Sequence, residues 1–560
     1  MRSLIQLCLF FLALDRVHSI KFPFHVRSTT GFSRHHTNGH GRRATINGTT
    51  TANPGTVPIA NTHNAEYITN ITLNGVSVPV MLDTGSSDLW VAENIPNAKD
   101  TGKAAKLSYA VGQANGDIWT AQLTFDDYTV NDQAFLMVTN TSSFSMDITA
   151  QGFNGLVGLG PNTGSVIRDK MDSSAGDSMI NRIFSQNAST SNFISFILDR
   201  QGDPTQPYTG QLTVSEVVPG LENITSMTKI SVEKVHKLTD VDQHWQILTD
   251  VNGVIGPDGN PIVIKSIAPA APSGQLVAVL DSGYTLPQVP RAMSDAIYGR
   301  VQGAVYDVNS GVWTIPCDQL INISFVFGGV TYPIHPLDTS SSDFGMTDAS
   351  GNPVCVGAFQ PITSAFSLLG EYDMILGMAF LRNTYTLLNY GDFIESSTTS
   401  NADPYVQLLS MTDPTVAHAD FVKVRMGGVD TSGDAAHALL PPSEAKTSPE
   451  TAEEKKQEMQ EKILSRWPYI FVGCLAFVII CVGLCVWRCC CRRKKGAAGG
   501  KGEKGGLEEG MLGLSGRKRD SYRPLEDSSP SMHGHNVSMQ NLSLSGGEHG
   551  EYQQSYSVRY

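Results

Sequence analysis

Short runs of alternating apolar and polar residues fill much of this chain. Residues 67–73, 76–82, 118–125 and 134–138 are rich in β-branched residues and read as strands. Helical spacing is scarcer and is best at 165–186 and 291–301. The pattern predicts a mainly-β body. Two strand-like runs also end alike: residues 78–91 read VPVMLDTGSSDLWV, and residues 276–289 read LVAVLDSGYTLPQV. Aligned without gaps, they set Asp83 against Asp281, Thr84 against Ser282 and Gly85 against Gly283. Either loop alone is an ordinary turn. A carboxylate ending a buried strand is costly unless partnered. Two such ends, a domain's length apart, point to two halves that present their carboxylates to each other.

The pattern outside that body is different. Residues 1–19 place Arg2 before the apolar run 4–14, which fits a secretory signal peptide. Residues 20–43 hold five Lys+Arg, no acid and four histidines, and end in Arg42-Arg43, as a basic pro-segment would. Beyond 395 regular patterning fades, so residues 396–466 read as a stalk, with a charged helix over 450–464. Residues 467–487 are apolar and uncharged, with tryptophan at both ends. As a helix they rise about 31 Å, enough to cross a bilayer core. Arg488 and the basic run 492–495 follow and should remain cytoplasmic. The Gly/Ser-rich remainder of 488–560 has too little apolar surface to fold alone and reads as a disordered cytoplasmic tail.

Charge and cysteine content narrow the picture. The net charge is −13, yet residues 488–560 carry 12 Lys+Arg against 8 Asp+Glu, so the acidic excess lies upstream. An acidic body argues against nucleic acid as a partner. Only Cys317 and Cys355 of the nine cysteines fall in the body, which suggests one disulfide in a secreted domain. Cys489, Cys490 and Cys491 stand at the cytoplasmic boundary as acylation candidates. Asn47, Asn70, Asn140, Asn187, Asn223 and Asn322 head Asn-x-Ser/Thr triplets, which are glycosylation candidates on a secreted surface.

The paired loops resemble those of the pepsin-like aspartic proteases, and further pieces match in order. Trp90 closes the first loop's motif. LSYAVGQANGDIWT, residues 107–120, falls where the family has its flap hairpin, with Tyr109 matching the flap tyrosine and Gly112 a flap glycine. FNGLVGLG at 153–160 and MILGMAFLRNTYTLLNY at 374–390 resemble the hydrophobic-hydrophobic-Gly segments that thread beside each loop. HWQI at 244–247 opens the second half, and Cys317 and Cys355 stand where the family has its last disulfide. The likeness covers roughly residues 62–395. It implies a bilobal fold with an N-terminal lobe at 62–235, a C-terminal lobe at 236–395 and the cleft between them.

The chemistry implied is peptide-bond hydrolysis by two carboxylates. The loops offer no Ser/His or Cys/His arrangement, and no His-Glu-x-x-His zinc pattern occurs. By resemblance Asp83 and Asp281 form the dyad. Thr84 and Ser282 bond across the lobe interface, Gly85 and Gly283 bring backbone to the carboxylates, and Ser86 orients Asp83. Tyr109 covers substrate. Three departures stand out: Ala110 replaces a flap glycine, the family's first-lobe disulfide is absent, and Tyr284 stands where a threonine is usual, with Thr285 filling the next hydroxyl position.

The resulting expectation is a monomeric aspartic endopeptidase that needs no metal or organic cofactor and acts on polypeptides. A single span would hold it in the membrane, at the cell surface or in a vacuole-like acidic compartment, as in membrane-anchored fungal-type members. A rival reading keeps the fold as a catalytically weak or inactive binding ectodomain, which Tyr284 and the altered flap favour. A structural surface glycoprotein would leave the paired loops unexplained.

Overall fold

In the computed structural model the described residues are 56–450, apart from 63, 110–111, 145–146, 187–190, 206–208, 236–242, 270, 363–371 and 395–401, together with 455, 459 and 472–484. The proposed signal peptide, pro-segment and tail, Asn47, Asn187, Ala110 and Cys489–Cys491 lie outside these residues.

The two halves are built on one plan. In the first, the strand Val76–Asp83 runs parallel to Gly155–Gly158, which pairs antiparallel with Leu89–Val91. In the second, Val277–Leu280 runs parallel to Met374–Leu376, which pairs antiparallel with Gln288–Val289. In each case a chain segment from the same half threads between the strand entering the loop and the strand leaving it. Parallel strands at a sheet's centre are covered on both faces, which is why Gly155–Gly158, Val277–Leu280 and Met374–Leu376 are buried throughout, whereas Val76–Asp83 is buried mainly toward its loop end.

An antiparallel six-stranded sheet joins the halves, in the order Thr56–Pro58, Gln211–Val214, Phe193–Ile197, Thr384–Asn389, Tyr405–Ser410, Ile230–Ser231. One continuous core spans the first half, this sheet and the second half; a smaller one lies under the hairpin Lys99–Phe125, around Trp90, Ile118 and Phe144.

The predicted strands are present, extended at their ends to Glu66–Leu73, Val76–Asp83, Gly112–Phe125 and Tyr128–Val138. The long helical run splits into Val166–Lys170 and Met179–Gln186 around a tight turn. Cys317 and Cys355 are joined, with Cα atoms 4.9 Å apart. Asn70, Asn140, Asn223 and Asn322 are exposed.

The stalk boundary at 396 is displaced by the structure. Tyr405–Ser410 is an inner strand of the joining sheet, paired along all six residues with Thr384–Asn389. Pro414–Arg425 is a helix, and Asp413 caps it by accepting from the N–H groups of Thr415 and Val416 at 2.8 and 3.1 Å. The chain then lies along the helix Arg291–Tyr298 as far as Ser448, which is 5 % exposed and donates to Asp295 at 2.6 Å. Folded structure thus continues some fifty residues past the predicted boundary. Of the proposed span, residues 472–484 are described and helical. Among the described residues no helix is long and apolar enough to cross a membrane.

Candidate active site

Asp83 ends its strand, and Asp281 follows directly on Val277–Leu280; they are 5 % and 7 % exposed. The residues after them hold the two loops together reciprocally. Thr84 N–H donates to Ser282 Oγ at 3.0 Å, and Ser282 N–H donates to Thr84 Oγ1 at 2.9 Å. Each hydroxyl then donates across to the strand of the other half, Thr84 to Leu280 O and Ser282 to Leu82 O, both at 2.9 Å. Four bonds close a ring that neither half forms alone. All four groups are buried, so a lost partner leaves a polar atom without water.

Inside this ring the backbone turns toward the carboxylates. Gly85 N–H donates to Asp83 Oδ1 and Gly283 N–H to Asp281 Oδ1, each at 2.8 Å. The glycines are required by closeness. A Cβ on Gly85 would lie 2.6 Å from Asp281 Oδ1, and one on Gly283 would lie 2.6 Å from Asp83 Oδ1. Each loop's glycine therefore faces the other loop's acid, which sets the two carboxylates together. Ser86 donates its hydroxyl to Asp83 Oδ2.

The surroundings are less symmetric. Ser87 bonds Pro161 O at 2.7 Å, but Thr285, at the matching position, donates to Ala65 O at 3.0 Å and so ties the second loop to the start of the strand Glu66–Leu73. Asp88, which the sequence did not mark, is 5 % exposed and accepts from Ser165, Val166 and Ile167 at 2.6, 2.9 and 3.0 Å, capping the short helix Val166–Lys170. Behind Asp83, Leu159 N–H donates to the Asp83 carbonyl at 2.7 Å. Leu159's own carbonyl accepts from Trp245 Nε1 at 3.0 Å and Tyr390 Oη at 2.7 Å. The tryptophan of the HWQI segment thus braces the first half's loop from the second half.

Tyr109 ends the first strand of the hairpin and pairs with Gly112 across the two-residue tip. Its ring packs near Trp90, 6.2 Å between centroids. Burial pushes its phenol well above the usual tyrosine value, and the charges of Asp88 and Asp83 add to this. Gly112 has φ +144°, and a Cβ there would sit 2.7 Å from Phe144 Cα, so glycine is needed for the hairpin to lie against its neighbour. On the other side of the dyad, burial and then the Asp281, Tyr372 and Asp83 groups raise the phenol of Tyr284 well above its usual value. Tyr284's carbonyl accepts from Met378 N–H at 2.8 Å. Tyr372 in turn meets His244 edge-to-face at 5.9 Å.

Glu66 was also absent from the sequence reading. It is 6 % exposed, its Oε2 has no hydrogen-bond partner, and burial lifts its carboxyl to about 7. Nothing in the local pattern marks it, since it opens the strand where an acid normally stands at a surface turn.

A protein-family model described as eukaryotic aspartyl protease matches residues 66–393. This chain belongs to that family. Among its relatives, Major aspartyl peptidase 1 of Cryptococcus neoformans is 27 % identical over 337 residues, covering 56 % of this chain and 63 % of the relative. Aspergillopepsin-1 of Aspergillus flavus is 25 % identical over 346 residues, 58 % of this chain and 74 % of its own. Vacuolar protease A of Neurospora crassa is 26 % identical over 359 residues, 60 % and 78 %. The family supplies the pepsin-like, mainly-β fold and aspartic endopeptidase chemistry. The strand Tyr405–Ser410 and the helix after it lie past the matched residues.

Proposed function

We propose that this protein hydrolyses internal peptide bonds with Asp83 and Asp281 as a shared acid–base pair. The reciprocal Thr84–Ser282 ring supports this most directly, because it sets two buried carboxylates face to face. Like charges held together do not both ionise cheaply, so the pair carries one proton between them. The ionised member takes a proton from a water, which attacks the scissile carbonyl. The protonated member hydrogen-bonds the carbonyl oxygen, and the proton taken from the water then passes to the leaving amine. Ser86 and the Gly85 and Gly283 N–H groups fix the carboxylate planes, and closure of the hairpin bearing Tyr109 excludes water. No metal or organic cofactor takes part in this scheme.

The same reading places the enzyme in the secretory pathway as a monomer held by one span at 467–487, working in acid at the cell surface or in a vacuole-like compartment. Its support is the uncharged 21-residue run and the helix at 472–484, where Val472, Phe477 and Ile479 are more than 60 % exposed. Acylation of Cys489–Cys491 and glycosylation of the exposed asparagines belong to that topology.

The test is cleavage of a peptide library by the full chain across acid pH, with and without pepstatin. Acid-dependent, pepstatin-sensitive cleavage is the expected result. A folded chain that binds peptides yet cleaves none would move the reading to a binding ectodomain.

A further inference from the structure

One cavity is lined by Thr285 and Leu286 of the second loop but by neither Asp83 nor Asp281. Its volume is about 250 Å³. At roughly 30 Å³ per water, it has room for about eight waters or a small organic molecule. Its walls include the start of the first half, Arg200–Gly202, the second half around Asp338 to Phe344 and Arg382, and the helix Pro414–Arg425 through Val424 and Arg425. Because that helix lies beyond the family match at 393, the cavity is completed by a part of the chain outside the shared fold.

The charges in its wall are unequally satisfied. Asp338 is fully engaged: Arg200 Nε donates to its Oδ2 at 2.8 Å, Arg382 Nε to its Oδ1 at 2.7 Å, and Asn383 Nδ2 to Oδ2 at 2.9 Å. These contacts hold its carboxyl down to about 2, and Arg200 bonds Asp203 as well, at 2.6 Å. Two guanidinium groups and two carboxylates thus balance.

Arg425 is different. Its Nη1 donates to Cys355 Sγ at 2.8 Å and its Nη2 to Ser340 O at 3.3 Å, neither of which is a charge. Asp343 is the acid whose field reaches it, and that carboxylate is bonded to Ser341 Oγ at 3.1 Å. A guanidinium has five N–H donors, and most of Arg425's remain for a ligand. Beside it Ser340, 1 % exposed, has a buried hydroxyl with no partner. An unpaired, largely buried cation next to an unsatisfied hydroxyl is costly in a closed fold unless something negative completes it.

We propose that this cavity is a binding site for a small organic oxyanion, its carboxylate or phosphate group paired with Arg425 and accepting from Ser340 Oγ. A bidentate group suits a guanidinium fork, and the remaining volume takes the rest of the molecule. The site stands apart from the peptide cleft, and its existence does not depend on whether the dyad cleaves peptides.

The full chain in detergent micelles, titrated calorimetrically with citrate and with glucose 6-phosphate at about pH 6, where both are charged, tests this. Saturable one-to-one binding of either is expected, and the better probe identifies the head group. Arg425→Gln should weaken it at least tenfold, Arg425→Lys less, and Ser340→Ala a few-fold, with chloride at matched ionic strength giving no saturable heat. Each variant's thermal midpoint reports its folding, and the two milder substitutions carry the test if Arg425→Gln does not fold. Absence of saturable binding for both probes overturns the proposal, as does binding that Arg425→Lys and Ser340→Ala leave at wild-type strength.

Discussion

The Asp83 loop and the Asp281 loop share a backbone and differ in what stands around it. Both follow the last residue of a buried strand, both donate a glycine N–H to their own acid at 2.8 Å, and both give a hydroxyl to the ring between them. From the fourth residue they part. Ser86 bonds Asp83, whereas Tyr284 brings a phenol beside Asp281. Asp88 caps a helix, whereas Leu286 is apolar and nearly buried. The shared part is what two carboxylates need in order to meet. The unshared part is free to define which peptide lies across them.

Removing either carboxylate is the largest test of that equivalence. Asp83→Asn and Asp281→Asn should each lower kcat by at least about 10³-fold, and the double variant should do little worse, because the pair acts as a unit. Residual activity in one single variant far above the other would show that the two acids are not one device.

Next come the ring hydroxyls. Thr84→Val and Ser282→Ala each remove one hydroxyl that both donates and accepts, at a cost of about 3 kcal/mol by chemical denaturation. Costs within about 1 kcal/mol of each other are expected, and a larger gap would mean that one half carries the interface.

Smaller and more selective effects belong to the unshared positions. Ser86→Ala should lower kcat by a similar factor, about tenfold, on every peptide. Tyr284→Thr should instead broaden the cleavage profile, raising kcat/KM about tenfold for peptides with a bulky side chain at that subsite and leaving others nearly unchanged. A uniform loss in Tyr284→Thr would move this phenol from selectivity to catalysis.

The halves should also differ in their response to acid. Glu66 is raised from 4.5 to about 7, so the folded chain holds a proton that the unfolded chain releases. Its contribution is complete below 4.5 and is lost as pH rises through 7. His335 is lowered from 6.5 to about 4, chiefly by burial and then by Arg200, so the unfolded chain takes a proton first. Its contribution is complete above 6.5 and is lost as pH falls toward 4. Stability curves of Glu66→Gln should therefore lack the decline between 4.5 and 7, a difference of roughly 3 kcal/mol. An unchanged curve would place the decline elsewhere.

Much of the site was legible because it is written twice. Apolar strand, acid, hydroxyl and glycine recur at matching places, and the ring between Thr84 and Ser282 follows from that repeat. The partner of Thr285 was not legible, because sequence order says nothing of direction: its hydroxyl turns to Ala65, toward the entry of the first half. Residues 405–425 were missed for another reason. The strand pairs with Thr384–Asn389 across a Ser/Thr-rich connection that reads as linker, and the helix presents no clean apolar face, with Val416 45 % and Val424 44 % exposed. Its signals were at the ends, in Asp413 before it, Pro414 at its first position and Gly427-Gly428 after it. Asp88 and Glu66 left no local mark, since their burial comes from chain segments far away in sequence.

Under the membrane anchoring proposed above, the late strand has a consequence for release. Tyr405–Ser410 sits inside the joining sheet, between Thr384–Asn389 and Ile230–Ser231. A sheddase cutting between 395 and 404 would leave that strand held only by non-covalent pairing, and its loss would bare the edge of Thr384–Asn389 to other chains. A cut beyond Ser448, past the last contact with the helix Arg291–Tyr298 among the described residues, would free the body intact. On that proposal, a released body should end after residue 448, which mass spectrometry of its C-terminal residue would check.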